Sequence, residues 1–205
     1  VARTGEQIQQ LGEQGAQRAK RWLESTCRAE VKWNNPTIGL KKLTFRKAGA
    51  PDDSEAQGDW FSFDLGGTFL GGDANGEVFL AECKKYAAAG DQGIEYRKFL
   101  AKCYRVESEH GAFHDRYLWV TWAPFSITSW PGLMTPAYVE ESVTKDQERI
   151  RIALGDAAFD ATVGTAVAEK LLIVVLSDGQ EVLLSLHGDE LMHVRKALLE
   201  FRSTA

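Results

Sequence analysis

Val78-Phe79-Leu80-Ala81 runs without a polar residue into Glu82-Cys83-Lys84-Lys85. A strand that is apolar on both faces needs cover on both, which puts this segment in the middle of a sheet. Side chains alternate with period two, so Glu82 and Lys84 share one face while Lys85 points to the other. Charges at the end of such a strand are costly unless something pairs with them. Upstream, Trp60-Phe61-Ser62-Phe63-Asp64-Leu65 reads as a second strand. Between them, Gly71-Gly72-Asp73-Ala74-Asn75-Gly76 is rich in residues that tolerate positive φ, so the two runs are expected to fold back on each other. Asp64 lies nine residues before Asp73 and Glu82 nine after it. The two carboxylates therefore fall opposite each other, unless a bulge at Gly66-Gly67 shifts the register by one. Two facing carboxylates with a lysine suit a hard divalent cation such as Mg²⁺, which binds one or two carboxylates and keeps several waters.

The flanking elements follow from periodicity. Residues 4–26 read as a helix with Ile8, Leu11, Ala16, Ala19 and Leu23 along one stripe, Thr4 as N-cap and Gln7 at capping-box spacing. Asn34-Asn35-Pro36 interrupts the next stretch, Leu40 to Arg46 is expected as a strand, and Ala48 to Gly58 as a polar loop. Asp91 to Glu107 is expected as a helix with Tyr96, Phe99, Leu100 and Cys103 facing the core, and Arg116 to Trp122 as a second buried strand. Thr135-Pro136 opens a helix running to about Leu154. Residues 155–168 carry no clear pattern. Leu171 to Leu176, an Asp178-Gly179 turn and Glu181 to His187 read as a hairpin, and Asp189 caps a closing helix to about Arg202. The order implies a mixed β-sheet flanked by helices, an α/β fold with a C-terminal β-hairpin and helix.

Asp64, a glycine-rich connection and Glu82-Cys83-Lys84 at the end of an apolar strand resemble the D…E-x-K signature of the PD-(D/E)XK, or restriction-endonuclease-like, superfamily of metal-dependent nucleases. Gln92-Gly93-Ile94-Glu95-Tyr96 is similar to the Q-x-x-x-Y element of its RecB-like branches. Phe63 stands where the family pattern has proline. The likeness spans about residues 4–123 of a single domain over 1–205, with 124–205 as elaboration. It implies a Mg²⁺-dependent nuclease, with Mn²⁺ as an alternative metal. Asp64, Glu82 and the Cys83 carbonyl would hold the ion, and Lys84 would orient the attacking water and stabilise charge. Glu13 on the first helix would complete the shell, since related nucleases often supply a glutamate there. DNA is the expected substrate, in phage defence, mobile-element maintenance or repair. The alternative is a catalytically inactive module of the same fold that binds nucleic acid or a partner protein. Homodimerisation or recruitment by another subunit is compatible with either.

The net charge of −5 is unevenly spread. Residues 1–105 carry 16 Lys/Arg against 14 Asp/Glu, and residues 106–205 carry 8 against 15. Phosphate contacts need only a local basic surface, so the footprint is expected on the first half, through Lys41, Lys42, Arg46, Lys47, Lys85, Gln92, Lys98 and Lys102. Cys27, Cys83 and Cys103, odd in number and in apolar settings, are expected as reduced thiols of a cytoplasmic protein. There is no run of eighteen apolar residues and no charged-then-apolar leader, so neither a membrane span nor a signal peptide is visible. Val1 in place of methionine leaves open both a processed start and a domain of a longer chain.

Overall fold

In the computed structural model, which describes residues 5–85 and 90–204, the chain begins with α1 (Gly5–Ser25) and β1 (Ala29–Asn34). A short α2 (Leu40–Leu43) leads into β2 (Thr44–Arg46), and after a polar loop come β3 (Trp60–Ser62), β4 (Leu65–Phe69) and β5 (Val78–Lys84). Next are α3 (Gln92–His110), β6 (Arg116–Thr121), α4 (Pro136–Thr144), α5 (Gln147–Ala153) and α6 (Ala161–Lys170). The chain closes with β7 (Leu171–Val175), α7 (Asp178–Leu184) and α8 (Gly188–Thr204). The main sheet has the order β1-β4-β5-β6-β7, antiparallel from β1 to β5 and parallel from β5 to β7. β5 is its central strand, as its two apolar faces require.

Alternation along β5 divides the core into two layers. Phe79, Ala81 and Cys83 face α1, where they join Ala16, Ala19, Leu23, Val31 and Leu118. Leu80 faces the other way and packs with Tyr96, Phe99, Leu100 and Cys103 of α3, with Trp119 of β6, and with Phe61 and Phe63. Glu82 and Lys84, in phase with Leu80, therefore open onto the α3 side. Among the described residues no helix is long and apolar enough to cross a membrane. All three cysteines are free and buried.

The fold departs from the sequence reading in several places. Trp60–Leu65 is not one strand: β3 pairs with β2 in a separate two-stranded sheet, and the chain changes sheets at Phe63 and Asp64. The bulge sits across from Gly66-Gly67, on β1, where the register shifts between Val31 and Trp33. Leu40 to Arg46 divides into a helical turn and a three-residue strand, and Ala29–Asn34, unassigned from sequence, forms the edge strand β1. The helix expected over 136–154 breaks where Asp146 turns its carboxylate to the amides of Glu148 and Arg149, capping α5. The unassigned stretch holds α6, capped by Asp160. The C-terminal hairpin is absent. Ser177 and Gln180 make a reciprocal capping box, and Asp178–Leu184 is helical instead. α8 begins at Gly188, with Asp189 in its first turn. Thr4 of the expected N-terminal capping box lies outside the described residues.

The C-terminal elements are only lightly covered. Val182, Leu183 and Leu184 of α7 and Met192, Leu199 and Phe201 of α8 are exposed. α8 has no buried residue; Arg195 donates to the Glu24 carbonyl and Arg202 to the Leu70 carbonyl.

Candidate active site

The hairpin ladder pairs Leu65 with Ala81, so one further step carries Asp64 to the position opposite Glu82, as the count from Asp73 requires. Asp64 is fixed through its backbone and its side chain. Its amide donates to the Ala81 carbonyl at 3.0 Å, its carbonyl accepts from the Asn35 amide at 2.9 Å, and its Oδ2 accepts from the Cys83 amide at 2.7 Å. The preceding Phe63 is fully buried, with its ring edge-on to Phe45, Phe61 and Phe99. Phenylalanine thus anchors the turn into the site by packing. Glu82 lies one strand over, at the end of β5 and beside the parallel strand β6.

Glu82 is clamped between two ammonium groups. Lys84 Nζ is 2.9 Å from its Oε1, and Lys102 Nζ, from α3, is 3.0 Å from its Oε2. Lys102 also donates to the Ser62 carbonyl at 3.0 Å, and Lys84 reaches Glu95 at 3.8 Å. Glu95 in turn meets Lys98, which pairs with Glu148 at 3.0 Å. Burial, then the neighbouring Glu82, push the Asp64 carboxyl up to about 6. For Glu82 burial pulls upward most strongly of any single influence, but Lys102 and Lys84 together outweigh it and hold the carboxyl at about 2. The charge on Glu82 raises Lys84 and keeps it protonated against the opposing effect of burial. Burial also raises the Cys83 thiol, which faces α1, so only the backbone of Cys83 can serve this site.

The remaining expected site residues are scattered. Glu13 is exposed on α1, the helix that covers the opposite face of the sheet, and lines a surface hollow with Gln14, Gln17, Arg18 and Arg21. It does not join the carboxylate pair. Among the described residues no group of three or more His, Cys, Asp and Glu side chains converges on a possible ion. Gln92 is fully buried and accepts from the Thr121 hydroxyl at 2.6 Å, so it braces α3 against β6 and cannot reach a phosphate. Tyr96 is buried core, and its hydroxyl donates to the Leu133 carbonyl. In the expected footprint Arg46 pairs with Asp52, Lys47 donates to the Gly58 carbonyl, and Lys98 is held by Glu95 and Glu148. Lys85 is half-buried, with its Cβ 3.2 Å from where a Cβ would stand at Gly15. Lys41 and Lys42 are exposed. Lys102 belongs to the site and not to a basic surface. Glu95, Lys98 and Lys102 fall at i, i+3 and i+7, a polar stripe beside the apolar one, and that spacing is the sequence signal for its position.

Asp64 and Glu82 meet the minimum a hard divalent cation asks of a protein, and Cys83 offers a backbone carbonyl at the same strand end. Both Glu82 oxygens are already paired with ammonium groups, so a cation that approaches them competes with a lysine. Against known protein families, curated proteins and solved structures the chain gives no match.

Proposed function

We propose that the chain is a divalent-metal-dependent phosphodiester hydrolase acting on nucleic acid, with DNA as the first substrate to test. The observation that carries this reading is the junction of Asp64 and Glu82 on neighbouring strand ends with a charged Lys84 on the same face. Mg²⁺ or Mn²⁺ held by Asp64, Glu82 and the Cys83 carbonyl would supply a Lewis acid and an activated water. Asp64 is the less buried of the two carboxylates, and Glu82 is the more deeply buried. Lys84 stays protonated beside Glu82, so its part is to orient water and to stabilise charge on the phosphoryl oxygens; it does not abstract a proton. Restriction-endonuclease-like architecture is part of the same proposal, supported by the mixed sheet with helices on both faces.

The second reading, a non-catalytic module of this fold, draws on a specific observation. Glu82 has a lysine on each oxygen, so the cluster is charge-paired without a metal. Cleavage of labelled duplex and single-stranded DNA and of RNA separates the two. The enzyme is expected to cut at least one of them with millimolar Mg²⁺ and to stop in EDTA. Asp64→Asn, Glu82→Gln and Lys84→Met should each lower the rate about a hundredfold or more, as loss of a transition-state charge partner does. Activity that persists in EDTA or in Lys84→Met overturns this mechanism. Absence of cleavage by well-folded wild-type protein on all three substrates supports the module.

A further inference from the structure

Lys102 occupies one of the two oxygens of Glu82, the buried carboxylate of the site. Its side chain is 17% exposed and its ammonium lies 5.8 Å above the Phe63 ring, 3.0 Å from Glu82 Oε2 and 3.0 Å from the Ser62 carbonyl. The two lysines at Glu82 are not equivalent. Lys84 grows from the same strand as Glu82, two residues on, and has Glu95 as a second acid. Lys102 comes from α3 across the layer, and its other contact is a neutral carbonyl. Withdrawing Lys102 therefore breaks one charged contact, whereas withdrawing Lys84 disturbs contacts to two acids. A carboxylate oxygen paired with an ammonium has its charge largely neutralised, and the ammonium repels a dication brought to the same oxygen, so the two cations compete for it.

We propose that Lys102 is an internal cation that competes with the divalent metal for Glu82, so that metal binding works against it and its charge sets how much metal the site needs. The inference rests on the metal-dependent reading of this site. In the metal-free protein Lys102 neutralises Glu82 and keeps the carboxylate in place. On metal entry its long stem allows the ammonium to swing away without movement of α3. A lysine on a facing helix is a replaceable partner, unlike the fixed donors that hold Asp64.

Direct titration of the full chain with Mn²⁺ by calorimetry tests this without any substrate. Lys102→Met keeps the stem over Phe63 and removes the charge, and Lys102→Gln removes the charge but keeps a donor toward Ser62. Both are expected to bind Mn²⁺ about tenfold more tightly than wild type, the equivalent of losing one charge-assisted competitor. Lys102→Arg, which keeps the charge, should stay within about threefold of wild type, a change of less than half that free energy. Lys98→Met removes a nearby charge that touches Glu95 and Glu148 but not Glu82, and should also stay within about threefold on the same scale. Equal or weaker Mn²⁺ binding by both neutral variants, with wild type binding normally, overturns the competition and leaves the metal site standing. Tightening of the same size in Lys98→Met overturns it too, because a general field effect then suffices. Failure of wild type and both neutral variants to bind Mn²⁺ overturns the metal reading itself.

Discussion

Burial, and after it the charge on Glu82, push the Asp64 carboxyl up to about 6 from an ordinary value of 3.8. A carboxyl raised by folding holds its proton more tightly in the native state, so its contribution to stability is full below pH 4 and is lost as the pH climbs through 6. Glu82 runs the other way: held at about 2, it contributes fully above 4.5 and loses that only as the pH falls toward 2. The two carboxylates should therefore answer amide substitution with opposite signs. In EDTA at pH 7.5, Asp64→Asn is expected to stabilise the protein. A fully sealed carboxylate shifted this far would give about 3 kcal/mol, and partial exposure reduces this to about 1–2. Glu82→Gln, which strands two ammonium groups in a partly buried site, should cost about 2–4 kcal/mol. Chemical denaturation at pH 5 and 7.5 checks both, and the wild-type gain on acidification should disappear in Asp64→Asn. A destabilised Asp64→Asn at pH 7.5 would contradict the raised pKa. At this scale the juxtaposition of Asp64, Glu82 and Lys84 was legible because strand alternation and the count from Asp73 are local rules. Lys102 was not, because periodicity places it on a polar stripe of α3 without saying which strand that stripe meets.

At the scale of elements, the hairpin and both long helices follow from their own residues, and the errors lie where tertiary pairing or a cap decides. Trp60 to Leu65 has strand composition throughout, and only the packing of Phe61 and Phe63 with Leu43 shows that its first half belongs to another sheet. Asp178-Gly179 suits a turn in isolation, but Ser177 and Gln180 at capping-box spacing start a helix there. Gly67 is a further case of a residue fixed by a partner strand. A Cβ on it would stand 2.0 Å from the Glu30 carbonyl oxygen, a backbone atom held in the β1–β4 ladder. Gly67→Ala must push β1 away and is expected to cost about 3 kcal/mol or more, at or beyond the upper end for overpacking. Gly58→Ala, where no atom lies within 4 Å of the added carbon, should stay within about 0.5 kcal/mol. Equilibrium unfolding of both variants makes the comparison, and a neutral Gly67→Ala would mean that β1 does not approach β4 as described.

Across the whole molecule, stability is unevenly distributed. β5 is covered on both faces, whereas α8 buries no residue and is tied down by arginine contacts to carbonyls at Glu24 and Leu70. Native-state hydrogen exchange should find α8 amides opening at a cost several kcal/mol below that of β5, which is expected to exchange near the global limit. Equal protection in the two elements would show that α8 belongs to the cooperative core. The mixed sheet with helices on both faces could be read from the sequence because β5 demanded cover on each side. The sparse cover of the C-terminal helices could not, since an apolar stripe looks the same whether or not a neighbour meets it. The crossing of the chain between sheets at Phe63 carries one more consequence. Asp64 takes its position from a ring wedged among Phe45, Phe61 and Phe99, so the small sheet works as a lever on the carboxylate. Sequence drift in Phe45 or Phe61, neither of which touches the two carboxylates, would misalign the site before it unfolded the protein, and on the proposed nuclease reading the cleavage rate would report damage to the small sheet sooner than a melting curve.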